Sequence, residues 1–94
     1  MDTIAAFQRF FERIRNDRRI GSTHIGIFAA ALQYSIEQGG YNPIKAYSRD
    51  VMDIAKISAL KTYCRCVKDL HEYGYIEYTL SKKKNVPSRI FFLD

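Results

Sequence analysis

Residues 58–74 read SALKTYCRCVKDLHEYG, and this stretch decides how the rest of the chain is interpreted. It opens on a serine, which favours the start of a helix, and closes on a glycine, which favours its end. At about 100° per residue, one face of such a helix is apolar and holds Ala59, Tyr63, Cys66, Val67 and Leu70, with Leu60 at its edge. The opposite face is polar, with three basic side chains, and it holds Ser58, Lys61, Thr62, Arg65, Lys68 and Glu72. The spacing predicts a helix over 58–73 with one buried face and one exposed face.

Two further segments of helical periodicity lie at the beginning of the chain. Residues 3–15, which Asp2 or Thr3 can cap, carry an apolar stripe of Ile4, Phe7, Phe11 and Ile14, widened by Phe10. Residues 22–38 form the second predicted helix, with Ser22 or Thr23 as its cap and two glycines after it. Its expected inner face is Ile25, Phe28, Ala29, Leu32 and Ile36.

A short strand and a short helix separate these segments from residues 58–74. The stretch YNPIKAY, residues 41–47, contains a proline that forbids a helix, and it is apolar enough to supply one brief strand. Ser48 is the expected cap of a two-turn helix, RDVMDIAK, with Val51, Ile54 and Ala55 facing inward. Only about three residues then lead into the helix predicted over 58–73, so the two helices form a helix-turn-helix.

The last twenty residues have the pattern of a hairpin with a basic tip. Ile76, Tyr78 and Leu80 alternate with polar residues, which is the period of a strand, and RIFFL, residues 89–93, predicts a second strand. The intervening loop, SKKKNVPS, carries three consecutive lysines, and Pro87 suits its edge. A hairpin that follows a helix-turn-helix corresponds to a wing.

The order of elements predicts a mainly α fold with a small β-hairpin, of the α+β class. We expect a winged helix-turn-helix with an extra amphipathic helix at its N-terminus. The chain of 94 residues is expected to form one domain, 1–94. Within it, residues 1–17 hold the N-terminal helix, 48–74 the helix-turn-helix and 75–94 the wing.

Composition and charge narrow the classes of partner. Hydrophobic residues make up 47% of the chain, but no apolar run approaches the ~20 residues that cross a membrane. Charges at Arg9, Glu12 and Arg13 interrupt any signal-peptide pattern, so a cytoplasmic location is expected. Residues 61–89 hold seven basic and three acidic side chains, which is nearly all of the net charge of +5. Such a cluster is typical of nucleic-acid binders, although lysine-rich tails also serve solubility alone.

The sequence offers little for catalysis or for a cofactor. Cys64 and Cys66 are two apart, so they point about 200° apart on a helix and cannot share a metal ion. His24 and His71 have no helpful spacing to them. We find no nucleophile–base set and no glycine-rich phosphate loop, and a solvated helix face explains Asp50 and Asp53. The chain is therefore not expected to be an enzyme or to hold a metal, a cofactor or a small-molecule ligand.

Three stretches of the chain resemble a known group of proteins. FFERIRNDRRIGSTHIGIFAAALQY, SRDVMDIAKIS and TYCRCVKDLHEYGYIEY look like the small bacterial winged-helix proteins found beside plasmid, transposon and phage genes. They are also similar to the DNA-binding domains of replication-initiator and replisome-organiser proteins. The resemblance implies binding to double-stranded DNA and a role as a transcriptional regulator. Replication or plasmid maintenance is the first alternative, and a winged-helix protein–protein interaction module is the second.

The DNA-binding residues can be assigned from the pattern. A helix fits the major groove, small residues at its start allow close approach, and cations on its outer face reach phosphates or guanine. Recognition is therefore assigned to residues 58–73 in the major groove, and backbone contact to the basic wing, residues 81–89. The expected contacts are Ser58, Ala59, Lys61, Thr62, Arg65, Lys68, Lys82, Lys83, Lys84 and Arg89. The resemblance departs at Leu60, where such proteins often carry a polar or basic residue. The stripe on residues 3–15 fits either the core or a homodimer contact.

Overall fold

A computed structural model describes residues 1–81, 83 and 85–93 of the chain. In the described residues, four α-helices and three β-strands form an α+β fold with a small hairpin, as the sequence predicts. The helices are α1 (Thr3–Ile14), α2 (Ser22–Glu37), α3 (Ser48–Ala55) and α4 (Leu60–Glu72), and the strands are β1 (Ile44–Ala46), β2 (Ile76–Thr79) and β3 (Ser88–Phe92). The chain order is α1, α2, β1, α3, α4, β2, β3, so the strand pair that ends the chain follows α4 directly.

The three strands form one antiparallel sheet in the order β1-β3-β2. β2 and β3 form the predicted hairpin, with Ile76 opposite Phe92 and Thr79 opposite Arg89. β1 pairs with the other edge of β3, where Lys45 lies opposite Arg89. The inward-facing residues Ile44, Ala46, Ile76, Ile90 and Phe92 are buried. The brief strand expected in residues 41–47 is therefore confirmed. Its pairing with the hairpin is not predicted by the sequence.

Aromatic side chains join α1 and α2 to the sheet. The rings of Phe10 and Phe28 stack with centroids 3.8 Å apart, and Phe28 meets Phe92 edge-on at 5.6 Å. Tyr75, just before β2, contacts Phe10 edge-on at 5.4 Å. Burying a phenylalanine side chain contributes roughly 1.5–3 kcal/mol relative to leaving it in water. This cluster therefore holds α1 against the rest of the core.

The predicted inner face of α1 is wrong in its first half. Ala6 and Phe10 are buried, whereas Ile4 is 72% exposed and Phe7 46% exposed. Phe11 and Ile14 are partly buried at the edge of the core. The apolar stripe is broader than one contact face, and the close stacking of Phe10 on Phe28 turns the other side of the stripe towards solvent.

The predicted inner face of α2 is also corrected. Phe28 and Leu32 are buried as expected, but Ile36 is 51% exposed, while Ile27, Ala30, Ala31 and Ser35 are buried. α2 packs against α1, α3 and α4, so its buried surface wraps around more of the helix than a single stripe. Neither Ser22 nor Thr23 is the cap, since Gly21 occupies the N-cap position and α2 begins at Ser22.

The helix-turn-helix consists of α3, a turn over 56–59 and α4. Lys56 ends α3 in the left-handed conformation, with φ 60° and ψ 40°. The predicted caps are each displaced by one residue, because Tyr47 caps α3 and Ala59 caps α4, neither with a side-chain hydrogen bond. Ser58 and Ala59 therefore precede α4 and are exposed, although Ala59 was expected on the buried face. Leu60, expected at the edge of that face, is 54% exposed as the first residue of α4.

No helix in the described part of the chain is both long enough and apolar enough to cross a membrane.

Candidate nucleic-acid interface

The outer face of α4 carries three exposed cations in a row. Lys61, Arg65 and Lys68 are spaced by four and three residues, so they follow one face over about 10 Å of helix. None of the three forms an ion pair or a hydrogen bond with another described residue. Thr62 is only half-exposed, because it lies towards the side of the helix, so it contributes less to this face than predicted.

The opposite face of α4 fixes which side chains point outward. Tyr63, Cys66, Val67 and Leu70 are each at most 2% exposed, as the periodicity predicts. Burial raises the pKa of the Tyr63 hydroxyl, so this side chain stays neutral within the core. A helix that buries four side chains this completely cannot rotate about its axis without opening the core. The orientation of Lys61, Arg65 and Lys68 is therefore set by the packing beneath them.

His24, for which the sequence spacing indicates no role, links α4 to α2. His24 is 9% exposed, and its Nδ1 accepts a hydrogen bond from the Gly21 N–H at 2.9 Å. Because Nδ1 accepts, the proton of the neutral ring is on Nε2, which donates to Asp69 Oδ2 at 2.9 Å. His24 thus accepts a hydrogen bond from the N–H of the residue that caps α2, and it links this end of α2 to the third turn of α4. The 45-residue separation of the two partners hides this contact from any local pattern.

His24, Asp69 and the buried Cys66 place three potential metal-ligand atoms within 4.8 Å of one another. Sequence spacing does not reveal this cluster. The hydrogen bonds oppose metal binding there, because a metal-binding histidine normally donates its second ring N–H to an acceptor. In His24 the Nδ1 atom faces the Gly21 N–H donor, and Nε2 uses its proton for Asp69. The cluster is better described as a hydrogen-bonded link between two helices.

The wing carries further exposed cations. Lys83 and Arg89 are exposed, and Arg89 sits near the loop end of β3, opposite Thr79. Lys82 and Lys84, which are also predicted contacts, lie outside the described residues. The Tyr47 hydroxyl donates to the Asn85 carbonyl at 2.7 Å, so the hairpin loop is held against the start of α3.

The wing is also bonded to α4 itself. The Tyr78 N–H of β2 donates to His71 Nδ1 at 3.0 Å, which gives His71 a structural role that its sequence position did not indicate. Between the two elements is a largely apolar depression of about 380 Å³, lined by Cys64, Lys68, His71, Tyr78 and Leu80. Leu80 is 63% exposed, because the strand predicted to include it ends at Thr79.

The C-terminal end of α4 is held by the last turn of α1 and by the turn that follows it. Arg13 donates to the Gly74 carbonyl at 3.0 Å, and Asp17 accepts from the Tyr75 hydroxyl at 2.6 Å and from Arg19 Nε at 2.8 Å. Hydrogen bonds from Arg19, and then from Tyr75, hold the pKa of Asp17 well below its usual range. Arg19 also stacks over the Tyr73 ring at 4.0 Å. These contacts lie at the end of the sheet away from the hairpin loop.

Comparisons with protein-family models, with curated proteins and with solved structures each give no match for this chain. The resemblance to winged-helix proteins of mobile elements therefore stays a prediction from the sequence.

Proposed function

We propose that this protein binds double-stranded DNA sequence-specifically and acts as a transcriptional regulator. The observation that carries the proposal is the outer face of α4, where Lys61, Arg65 and Lys68 are exposed and unpaired among the described residues. A row of cations without carboxylate partners repels itself, and a phosphate backbone relieves that repulsion. The same helix is rigidly oriented by its buried face, as a reading helix needs to be.

In the proposed complex, α4 enters the major groove and the wing lies on the neighbouring backbone. Arg65 lies in the middle of the cation row and can form a bidentate contact with a guanine edge. Lys61 and Lys68 flank it and reach phosphates. Ser58 and Ala59 are exposed and small, so they allow the start of α4 to approach the groove.

In the proposed complex Leu60 faces the DNA, although the sequence predicts it at the edge of the buried face. It is the first residue of α4 and is 54% exposed, on the end of the helix that approaches the bases. An apolar side chain in the major groove can contact the methyl group of thymine. Leu60 is therefore a candidate for base discrimination rather than for core packing.

The wing provides the first test. Replacing Lys82, Lys83 and Lys84 by alanine should weaken binding to all duplexes alike. It should also flatten the log–log dependence of affinity on salt by about one unit for each phosphate that the variant no longer neutralises. Binding would be measured by fluorescence anisotropy with a duplex selected from a random pool and with a scrambled duplex. A salt dependence equal to that of the wild type would remove the wing from the interface.

A protein–protein interaction module is the second candidate function. It is favoured by the depression beside α4, where the exposed Leu80 and Cys64 border Tyr78. Duplex binding that is weak and insensitive to salt would support this module. If the chain selects a defined duplex, genome-wide immunoprecipitation with sequencing separates transcription from replication, since the bound sites lie at promoters or at a replication origin.

A further inference from the structure

A further group of exposed cations lies where β1 joins α3. Lys45 of β1 faces Arg89 of β3 directly across the sheet, and both side chains are exposed on its outer side. Directly opposed residues of an antiparallel pair have Cβ atoms about 5 Å apart, and like charges in that position are unfavourable. Neither side chain forms an ion pair or a hydrogen bond with another described residue.

The acidic residue on the adjacent strand does not pair with these cations. Glu77 lies diagonally from Arg89 on β2, since it is opposite Phe91, and it makes no ion pair with Arg89. The repulsion between Lys45 and Arg89 therefore persists in the free protein. An anion that binds from outside would remove it.

Arg49 is a third exposed cation in this region, and it borders the start of α4. Its guanidinium carbon lies 4.6 Å from the centre of the Tyr47 ring, and the Tyr47 hydroxyl donates to the hairpin loop at Asn85. Arg49 also lines a shallow groove between α3 and α4, together with Asp53 and Leu60. It makes no ion pair with Asp53, although both line the same groove. Arg49 therefore borders the start of α4 and also packs on Tyr47, the residue that is bonded to the hairpin loop.

Alternation along the chain places Lys45 and Tyr47 on the same side. β1 buries Ile44 and Ala46, so Lys45 points outward, and Tyr47 continues the extended backbone with φ −79° and ψ 147°. Tyr47 thus contacts Arg49 and the hairpin loop on the side of the chain towards which Lys45 also points. We use the name β1–α3 surface for Lys45 of β1 and Arg49 of α3 together with Arg89, which lies opposite Lys45 on β3.

We infer that the β1–α3 surface binds the phosphate backbone of the same DNA duplex that α4 reads, with Lys45 and Arg49 as contacts in addition to Arg89. This inference rests on the proposed function. Duplex DNA is the occupant that fits, because the three side chains are exposed cations without ion-pair partners among the described residues, and Arg49 shares a groove with Leu60 at the start of α4, beside the proposed major-groove contact. If the wing alone touched the phosphate backbone, the contact would be limited to the hairpin loop. With Lys45 and Arg49 the contact with the phosphate backbone extends to β1 and α3.

The test compares the salt dependence of duplex binding for three forms of the full chain. One is the wild type, one is the double variant Lys45→Gln/Arg49→Gln, and one is the control Arg15→Gln/Arg18→Gln. Glutamine keeps much of the aliphatic stem and removes only the charge. Arg15 and Arg18 are exposed and bond to no described residue, and they lie in or near the turn whose Asp17 contacts Tyr75, away from the hairpin loop. Circular dichroism melts check that all three are equally folded.

The expected result is a slope of log affinity against log salt that is about two units flatter for Lys45→Gln/Arg49→Gln than for the control. Preference for the selected duplex over a scrambled one should be unchanged, because phosphate contacts carry no sequence information. If both variants give the same slope while the wild type binds duplexes, the inference is wrong and the proposed function stands. If the wild type binds no duplex, both are overturned.

Discussion

At the scale of single residues, buried or bridging polar groups fix the geometry that the apolar pattern only outlines. Asp17 shows this, since its carboxylate accepts hydrogen bonds from Arg19 and from Tyr75 and is only 10% exposed. His24 does the same for α2 and α4. The partners of Tyr75 and Asp69 lie 58 and 45 residues away, so no sequence window contains both members of either pair. Local spacing therefore could not predict these contacts.

Asp17 predicts a specific pH dependence of stability. The pKa of Asp17 is lower in the folded protein than in the unfolded chain, so the ionised carboxylate stabilises the fold. This stabilisation is complete above about pH 4, where the carboxylate is ionised in both states. It is lost as the pH falls further, because the unfolded chain takes up the proton first. We expect Asp17→Asn to lower the urea midpoint at pH 7. At pH 2.5 we expect the midpoints of the wild type and of Asp17→Asn to lie closer together. Asp53→Asn, at an exposed carboxylate without a bonded partner in the described residues, is the control. A constant difference between wild type and Asp17→Asn from pH 7 to pH 2.5 would contradict this account.

At the scale of elements, periodicity predicts which segments are helices and strands but not where each helix begins. All four predicted helices and the hairpin strands are present. The caps of the last three helices were assigned from the preference of serine and threonine, whereas Gly21, Tyr47 and Ala59 occupy those positions. The start of α4 is set by its buried face and by the left-handed turn at Lys56, and this tertiary constraint overrides a preference of about 1 kcal/mol. The exposed cations of α4 were predictable because its buried face follows a strict helical period.

The turn between α3 and α4 gives a prediction at this scale. Lys56 has φ 60°, a conformation that costs a residue with a Cβ atom roughly 1–2 kcal/mol. We expect Lys56→Gly to be more stable than Lys56→Ala by about 1 kcal/mol, since both variants remove the lysine side chain and only glycine relieves the conformation. The measurement is the free energy of unfolding in urea. If alanine proves as stable as glycine, the left-handed turn is not a constraint on the helix-turn-helix.

At the scale of the whole molecule, the proposed DNA-binding side and an apolar patch are built from different helices. The patch contains Ile4 and Phe7 of α1 and Ile36 of α2, which border a groove of about 280 Å³ whose floor includes Ala29 and Leu32. It combines protruding side chains with a depression on one surface, as a self-complementary twofold contact requires. A second copy bound here would leave both α4 helices free, and a dimer of that kind reads two half-sites. The stripe on α1 thus divides between the core at Phe10 and a proposed homodimer contact at Phe7.

Phe7→Glu tests the homodimer contact. Phe7 is 46% exposed, so glutamate can reach water and the monomer fold should persist. We expect sedimentation velocity to show a dimer for the wild type and a monomer for Phe7→Glu. The control is Gln8→Glu, which makes the same change in charge at an exposed neighbour and should remain dimeric. A dimer that survives Phe7→Glu, or a monomeric wild type, would remove this patch from the assembly.

The affinity of Arg65→Ala for a selected duplex and for its scrambled counterpart tests most directly whether the exposed face of α4 reads base sequence. Arg65 is exposed, and the buried face beneath it is untouched, so the fold should be retained. We expect binding to weaken by about 1–3 kcal/mol on the selected duplex and by much less on the scrambled one, with relaxed preference at one base pair. Arg18→Ala, an exposed arginine in the turn before α2, should match the wild type on both duplexes. If Arg65→Ala keeps wild-type affinity and selectivity, α4 does not read DNA through this face.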